Sequence, residues 1–124
     1  MVNNVKENVL KIKSFKFAVR IVNLYKFLCD TKKEFVLSKQ VLRSGTSIGA
    51  MIRESEHSES KPDFIHKMAI AQKEINETLY WLELLYETEF ISKKKFESIN
   101  TNAIELIKLI TSSIKTVKSK LPKN

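Results

Sequence analysis

Hydrophobic residues recur every three or four positions along the chain, which is the spacing of one face of an α-helix. A first helix is predicted from about residue 14, with Ser14 as its N-cap, because the serine hydroxyl can accept an unpaired backbone N–H. Residues 1–13 are expected to be frayed or to extend this helix. The polar segment 30–34 is predicted to be the first connection. The apolar stripe of the first helix comprises Phe17, Ile21, Leu24 and Leu28.

A second helix is predicted from near Ser38 to near His57, and it contains two glycines, Gly45 and Gly49. Glycine in a helix interior costs roughly 0.5–1 kcal/mol relative to alanine. A break near Gly45 is therefore one interpretation. The favoured interpretation is an unbroken helix whose small residues let a neighbouring backbone come close. The apolar stripe comprises Val41, Ile48 and Ile52.

The clearest break in the pattern is residues 58–63. Ser60 followed by Asp63 is typical of a capping box, and Pro62 suits a first helical turn, where its missing N–H has no cost. The third helix is predicted to run from there to about Glu89. Its apolar stripe comprises Phe64, Met68, Ala71, Ile75, Leu79, Leu82 and Tyr86.

A fourth helix is predicted between Ser92, as its N-cap, and Pro122. Four amphipathic helices with short connections cannot bury their stripes separately. The predicted fold is therefore all-α, an up-down-up-down antiparallel four-helix bundle that forms one domain over residues 1–124. The stripe of the fourth helix comprises Phe96, Ile99, Ala103, Leu106, Ile110, Ser113 or Ile114, Val117 and Leu121.

Composition agrees with this fold and narrows the setting. The chain of 124 residues has only two glycines and two prolines, too few for the many turns of a β-sandwich. Its single cysteine, Cys29, cannot form an internal disulfide, which favours a reducing compartment. The sequence contains neither an apolar run of ~18–20 residues nor a signal-peptide core. We therefore expect a cytoplasmic protein without a membrane span.

Positive charge is concentrated at the two ends of the chain. The formal net charge is +8, and residues 1–30 and 91–124 carry +4 and +6 of it, whereas residues 61–90 carry −3. Such a bias favours contact with polyanions without identifying one.

No complete catalytic or metal-binding set is evident. A di-iron site needs Glu-x-x-His pairs on two helices and a Glu on each of the others. Glu54 with His57 is one such pair and Asp63 with His66 a looser copy, but the first helix has no carboxylate in its middle. Cys29, near a helix C-terminus, is expected to be a small hydrophobic residue. We therefore expect no enzyme activity, no catalytic residues, no metal and no cofactor.

Two structural pairings are predicted for the second and third helices. Arg43 is expected to form a partly buried ion pair with Glu77, in a group that also contains Glu54 and Glu74; the alternative is that all four are exposed. One stripe cannot bury every apolar residue between Leu79 and Tyr86, so the third helix is expected to be apolar on two faces. Self-association is therefore predicted, with an interface that comprises Tyr80, Trp81 and Leu84.

Two stretches resemble a known family. The first, residues 14–54, contains the pattern Gln40-x-x-Arg43-Ser44-x-x-Ser47-Ile48, and the second runs from Asp63 to Leu82. Over about residues 14–120 the chain resembles the bacterial four-helix-bundle proteins encoded in intervening sequences of 23S ribosomal RNA genes. These are similar in turn to the accessory variability-determinant protein of diversity-generating retroelements.

The resemblance implies a cytoplasmic homopentamer around a central channel, with no established enzyme activity. The retroelement relatives bind nucleic acid and a reverse transcriptase through a basic surface, so these are the partners that the resemblance implies. The sequence departs from the family pattern at Met51, where an asparagine is usual, and at Ser55, where alanine or glycine is usual. A shared ligand site would be affected, but the fold would not.

Two functions follow as hypotheses. The first is an oligomer that binds RNA or DNA backbone through the basic first and fourth helices, led by charge rather than by base stacking. The alternative is a structural or protein-interaction scaffold whose charges serve self-assembly. The residues predicted to contact phosphates are Lys11, Lys13, Lys16, Arg20, Lys93, Lys94, Lys95, Lys108, Lys115 and Lys118, with Lys120 and Lys123 beyond them.

Overall fold

Four α-helices joined by short connections form the computed structural model, which describes residues 4–122. They are α1 (Asn4–Asp30), α2 (Leu37–Ser55), α3 (Lys61–Glu87) and α4 (Lys93–Lys118). Each helix packs against its neighbours in the chain and α1 also packs against α4, while the backbones of the diagonal pairs lie further apart within the described residues. The prediction of an all-α, up-down-up-down antiparallel four-helix bundle is confirmed.

The predicted stripes meet in one core, except that the stripe of α3 is slightly shifted and that Phe96 and Leu121 of the predicted fourth stripe are only half-buried. The buried face of α3 passes through Thr78 and Leu85, whereas Leu79 and Tyr86 are half-buried at its edge. Thr78 tolerates full burial because its hydroxyl lies 2.9 Å from Ser44 Oγ and 2.8 Å from the carbonyl oxygen of Glu74. Because these partners satisfy the Thr78 hydroxyl, the buried face of α3 can pass through Thr78 rather than through Leu79.

Ser14 does not cap α1, so that prediction is wrong. The helix begins at Asn4, and Leu10, one turn before Ser14, is buried and extends the apolar stripe. Ser14 is itself buried, and its hydroxyl donates to the carbonyl oxygen of Lys11 at 3.2 Å. Residues 4–13 thus extend the first helix, and residues 1–3 lie outside the described part of the chain.

The second helix is unbroken, and its glycines lie against α1. A Cβ atom placed on Gly45 would lie 2.7 Å from Cγ1 of the fully buried Ile21. A Cβ atom on Gly49 would lie 3.4 Å from the carbonyl oxygen of Ser14, an ordinary contact distance. Only Gly45 is therefore required by close packing between α1 and α2.

Alanine at the two glycines should have effects of opposite sign. Gly45→Ala should lower the free energy of unfolding by about 1–3 kcal/mol, because overpacking against Ile21 outweighs the gain in helix propensity. Gly49→Ala should raise it by about 0.5–1 kcal/mol, because the same gain meets no clash. Urea unfolding of both variants measures the difference, and an equal effect at both positions would contradict this packing.

The α2 helix is capped by a residue that the sequence pattern did not single out. Its N-cap position, Val36, has no side-chain cap. The carboxylate of Glu34 instead accepts backbone N–H groups from Val36 at 3.2 Å, Leu37 at 3.0 Å and Ser38 at 2.7 Å. Partial burial alone would raise the pKa of Glu34, but these hydrogen bonds outweigh it and hold the pKa below its usual value.

Two other caps agree with the sequence analysis. Ser60 Oγ accepts the backbone N–H of Asp63 at 3.1 Å, and Ser92 Oγ accepts that of Lys95 at 3.1 Å. The chain then turns without glycine at the opposite helix ends, through Lys33 at φ 53° and Glu89 at φ 67°. Residues in the left-handed conformation after a helix are usually glycine, so these two turns could not be predicted from the positions of glycine in the sequence.

Glu34 should make the stability of the protein depend on pH. Its folded-state pKa is lowered, so its contribution is complete above the unfolded-state pKa and is lost as pH falls through the folded-state pKa. Glu34→Gln should cost about 1 kcal/mol at pH 7, as for loss of a helix cap. Urea unfolding from pH 7 to pH 3 should show this difference shrinking with acid. A difference that is constant with pH would argue against the capping role.

Candidate nucleic-acid interface

The α1–α4 pair packs less closely than the other adjacent pairs, and it leaves a groove on the surface. Two side-chain stripes at helical spacing face each other across it. We call the two adjoining depressions between them, about 240 and 180 Å³ in volume, the basic groove. Its polar lining consists of Lys13, Lys16, Arg20 and Asn23 from α1 and Lys95, Asn102 and Glu105 from α4.

Arg20 lies at the centre of the basic groove and is held by neutral groups. Its guanidinium donates to Asn102 Oδ1 at 2.6 Å, to the carbonyl oxygen of Ser98 at 3.2 Å and to Ser98 Oγ at 2.9 Å. No carboxylate of the described chain forms an ion pair with it. The guanidinium is therefore fixed in position while its charge is left unneutralised.

At the Lys13 end of the groove the positive charge is partly neutralised. Lys13 Nζ forms an ion pair with Glu105 Oε1 at 2.7 Å across the two helices. Lys16 is exposed one turn further along α1 and forms no ion pair with a described residue. The groove thus contains one carboxylate among four cations, which leaves a local excess of positive charge.

Lys95, in the first turn of α4, lies at the end of the groove near the α3–α4 turn and contacts an aromatic ring. Its ammonium is 3.5 Å from the centroid of the Phe27 ring, a cation–π contact. Burial lowers the pKa of Lys95, and the nearby charges of Arg20 and Lys32 lower it further. Lys95 is therefore repelled by two other cations, and none of the three forms an ion pair with a side chain that the structure describes.

The first turn of α4 adds to this repulsion. It contains Lys93, Lys94 and Lys95 and no acidic residue. A helix N-terminus carries partial positive charge, so each lysine there is unfavourable by a few tenths to about 1 kcal/mol. These lysines therefore do not serve helix stability, and they raise the positive potential at the Lys95 end of the groove.

The other predicted phosphate contacts do not line the basic groove. Lys11 pairs with Glu56 at 3.4 Å, and Lys93 lies 3.9 Å from Glu97 on the exposed surface. The exposed lysines of α4 that form no ion pair with a described residue are Lys94, Lys108, Lys115 and Lys118. Lys120 is also exposed, and Lys123 lies outside the described residues.

Sequence reasoning missed Phe27, Lys32, Ser98 and Asn102. A signal for most of them was present, because the groove side of α4 repeats at three and four positions, as does that of α1. Lys32 had no such signal, since it lies in a connection. The two stripes are Lys13, Lys16, Arg20, Asn23 and Phe27 on α1, and Lys95, Ser98, Asn102 and Glu105 on α4.

Arg43 lies against both Glu74 and Glu77, on the α2–α3 side of the bundle. Its guanidinium donates to Glu74 Oε2 at 3.0 Å and contacts Glu77 Oε2. The Arg43 side chain is 51% exposed, whereas those of Glu74 and Glu77 are 12% and 30% exposed, so the ion pair is exposed on the arginine side and partly buried on the carboxylate side. Glu54, the fourth charge considered with them, is exposed on α2 and forms no ion pair with a described residue.

The three predicted interface residues differ in exposure. Trp81 is half-buried against the core, and its Nε1–H donates to Glu77 Oε2 at 3.0 Å. This hydrogen bond and then the Arg43 contact hold the pKa of Glu77 below its usual value. Leu84 is also half-buried, whereas Tyr80 is 58% exposed. Of the three, Tyr80 has the most surface free for another chain.

A second apolar surface, on α1, was not predicted. Ile12, Phe15 and Val19 are 55, 53 and 45% exposed and are spaced by three and four positions on one side of the helix. The guanidinium of Arg53 covers part of Phe15, 5.2 Å from the ring centroid. We call Ile12, Phe15 and Val19 the α1 apolar patch.

Residues considered for other chemistry lie apart. In the described part of the chain no three His, Cys, Asp or Glu side chains are placed to hold a metal ion. The carboxylate of Asp63 accepts the backbone N–H of Glu59 at 3.1 Å and pairs with Lys67 at 3.0 Å, and His57 and His66 are exposed. Cys29 is half-buried, with its sulfur 3.7 Å from Ser38 Oγ. None of the described helices has the length and apolarity of a membrane span.

Fold and surface together define a class: a four-helix bundle whose first and last helices form a basic groove. The sequence matches the model of the family described as 23S rRNA-intervening sequence protein over residues 6–112, and the chain belongs to this family. The family resemblance read from the sequence is thus confirmed, while the likeness to the retroelement protein stays a prediction. No curated protein matches the chain.

A solved structure supports the same assignment. The chain is similar to a protein of unknown function from the S23 ribosomal protein family of Bacteroides thetaiotaomicron, whose crystal structure was determined at 1.70 Å. The two share 63% sequence identity and superpose with a TM-score of 0.88. The match covers 89% of this chain and 98% of the other.

Proposed function

We propose that this protein is a non-enzymatic, self-associating bundle that binds nucleic-acid backbone along the basic groove. The observation that supports this most is the set of cations Lys16, Arg20 and Lys95, which lie in one groove and form no ion pair with any side chain that the structure describes. Neutral groups position Arg20, so the charge remains available to an external anion.

The shape of the groove favours an extended polyanion over a small anion. Lys13, Lys16 and Arg20 follow one another along α1 at intervals of about 5 Å, given the ~1.5 Å rise per helical residue. The phosphates of a nucleic-acid strand are also charges repeated every few ångströms. The residues that line the groove do not form a pair of aromatic rings between which a base could stack, so binding there should be led by charge.

Single-stranded RNA should bind with a steep salt dependence. With three or four phosphate contacts, the affinity should fall roughly 20–50-fold between 50 and 200 mM salt. Lys16→Glu should weaken binding at least tenfold, because it adds a carboxylate to the groove. Fluorescence anisotropy with a labelled decamer measures both effects.

The matched control for this variant is Lys39→Glu, which makes the same charge change at an exposed lysine of α2. It should change the affinity less than threefold. An equal loss in both variants would mean that net charge alone attracts RNA. Absence of binding at 50 mM salt would overturn the proposed function.

Self-association is the second part of the proposal, and the alternative scaffold function depends on it alone. It is supported by two exposed apolar surfaces on diagonal helices, the α1 apolar patch and Tyr80 on α3. A contact between two different surfaces of identical chains is heterologous and closes into a ring when the rotation allows. The number five comes from the family resemblance, which implies a homopentamer.

A charge placed in either apolar surface should reduce the assembly. Phe15→Glu and Tyr80→Glu should each yield smaller species in light scattering, whereas Thr101→Glu, at an exposed polar position of α4, should not. The proposed wild-type mass is five times 14.4 kDa. A wild-type protein that is monomeric at micromolar concentration would contradict self-association.

A further inference from the structure

At its Lys95 end the basic groove adjoins a second surface depression, which we call the end pocket. It has a volume of about 490 Å³, shares Lys95 with the groove and is bordered by the α3–α4 turn. Three aromatic rings, those of Phe27, Tyr86 and Phe90, line it together with the ammonium groups of Lys32 and Lys95. Ligand sites in proteins commonly have volumes of about 300–1,000 Å³ and a few convergent polar groups.

Both lysines of the end pocket lie near one ring. The ammonium of Lys95 is 3.5 Å and that of Lys32 is 5.9 Å from the centroid of Phe27. Neither has an ion-pair partner among the described residues. Two like charges on one ring repel each other. A bound anion would relieve this repulsion.

The carboxylates at this end of the bundle do not neutralise the two lysines. Glu34 is occupied by the backbone N–H groups that it caps. Glu89 lines the end pocket, but its carboxylate is not within ion-pair distance of either lysine. Glu89 therefore borders the pocket as a negative group that an anionic ligand would have to pass.

We propose that the end pocket binds the terminal phosphate monoester of a nucleotide, with Lys32 and Lys95 on the phosphate and the aromatic rings against its base or sugar. A phosphate monoester carries a charge of about −1.5 to −2 at pH 7, which suits two ammonium groups better than the single charge of a phosphodiester. Aromatic rings stack on any base, so the site would not select a sequence.

The position of the pocket favours a strand end over an internal nucleotide. This inference rests on the proposed function, because the basic groove would carry the strand to the pocket. The pocket lies beyond the Lys95 end of the groove and is lined by Glu89 and Phe90 of the α3–α4 turn, at one end of the bundle. The end of a strand that follows the groove would reach this pocket. A free mononucleotide presents the same phosphate chemistry and is the other source to be tested.

Binding of three probes separates the pocket from the groove. These are an RNA decamer with a 5′-phosphate, the same decamer with hydroxyl groups at both ends, and AMP as competitor. The phosphorylated decamer should bind at least fivefold more tightly than the hydroxyl-ended one, and millimolar AMP should abolish the difference. Lys32→Gln should also abolish it while changing the affinity for the hydroxyl-ended decamer less than twofold. Lys26→Gln, at an exposed lysine of α1, should retain it.

A variant that is expected to strengthen binding, rather than weaken it, excludes loss of folding as the explanation. Glu89→Gln removes the negative group beside the pocket and should strengthen binding of the phosphorylated decamer two- to threefold, without effect on the hydroxyl-ended one. Equal wild-type affinity for the two decamers would overturn the pocket and leave the groove standing. If AMP binds in a Lys32-dependent way and neither decamer binds, the pocket is supported and the groove is overturned. If no probe binds, both are overturned.

Discussion

The antiparallel order of the helices forces the two most basic segments of this chain together. In an up-down-up-down bundle the first and last helices are neighbours, so α1 and α4 must share a face. Residues 1–30 carry +4 and residues 91–124 carry +6, and the bundle cannot form without bringing these charges close. The other three helix pairs pack more closely, and their packing offsets this repulsion. The basic groove between α1 and α4 is a consequence of the repulsion.

Small and polar side chains make that closer packing possible on the α2 side. Gly45 lets α2 approach Ile21 on α1, and Ser44 meets Thr78 on α3 through a buried hydrogen bond. These contacts tie α2 to both of its neighbours. In the α1–α4 pair, Arg20 instead spans the two helices through hydrogen bonds from its guanidinium to Ser98 and Asn102 of α4. The looser pair is thus also the one with unneutralised charge.

The fold follows from the spacing of apolar residues, and the surface follows only in part. The stripes of all four helices predicted the bundle and nearly all of its core, because burial of apolar surface dominates packing. The Thr78 shift and the cap by Glu34 depend on individual hydrogen bonds, which periodicity does not reveal. The sequence shows that the first and fourth helices are basic. The pairing of Arg20 with Asn102 could not be predicted, because it depends on the register between α1 and α4.

Lysine acetylation footprinting with mass spectrometry, with and without a single-stranded RNA decamer, tests the central claim most directly, whatever the size of the assembly. It reads each lysine separately. Binding in the basic groove predicts that RNA protects Lys16 and Lys95 and leaves Lys39 and Lys73, on α2 and α3, as reactive as before. Equal protection of all four lysines, or protection confined to Lys39 and Lys73, would contradict the account.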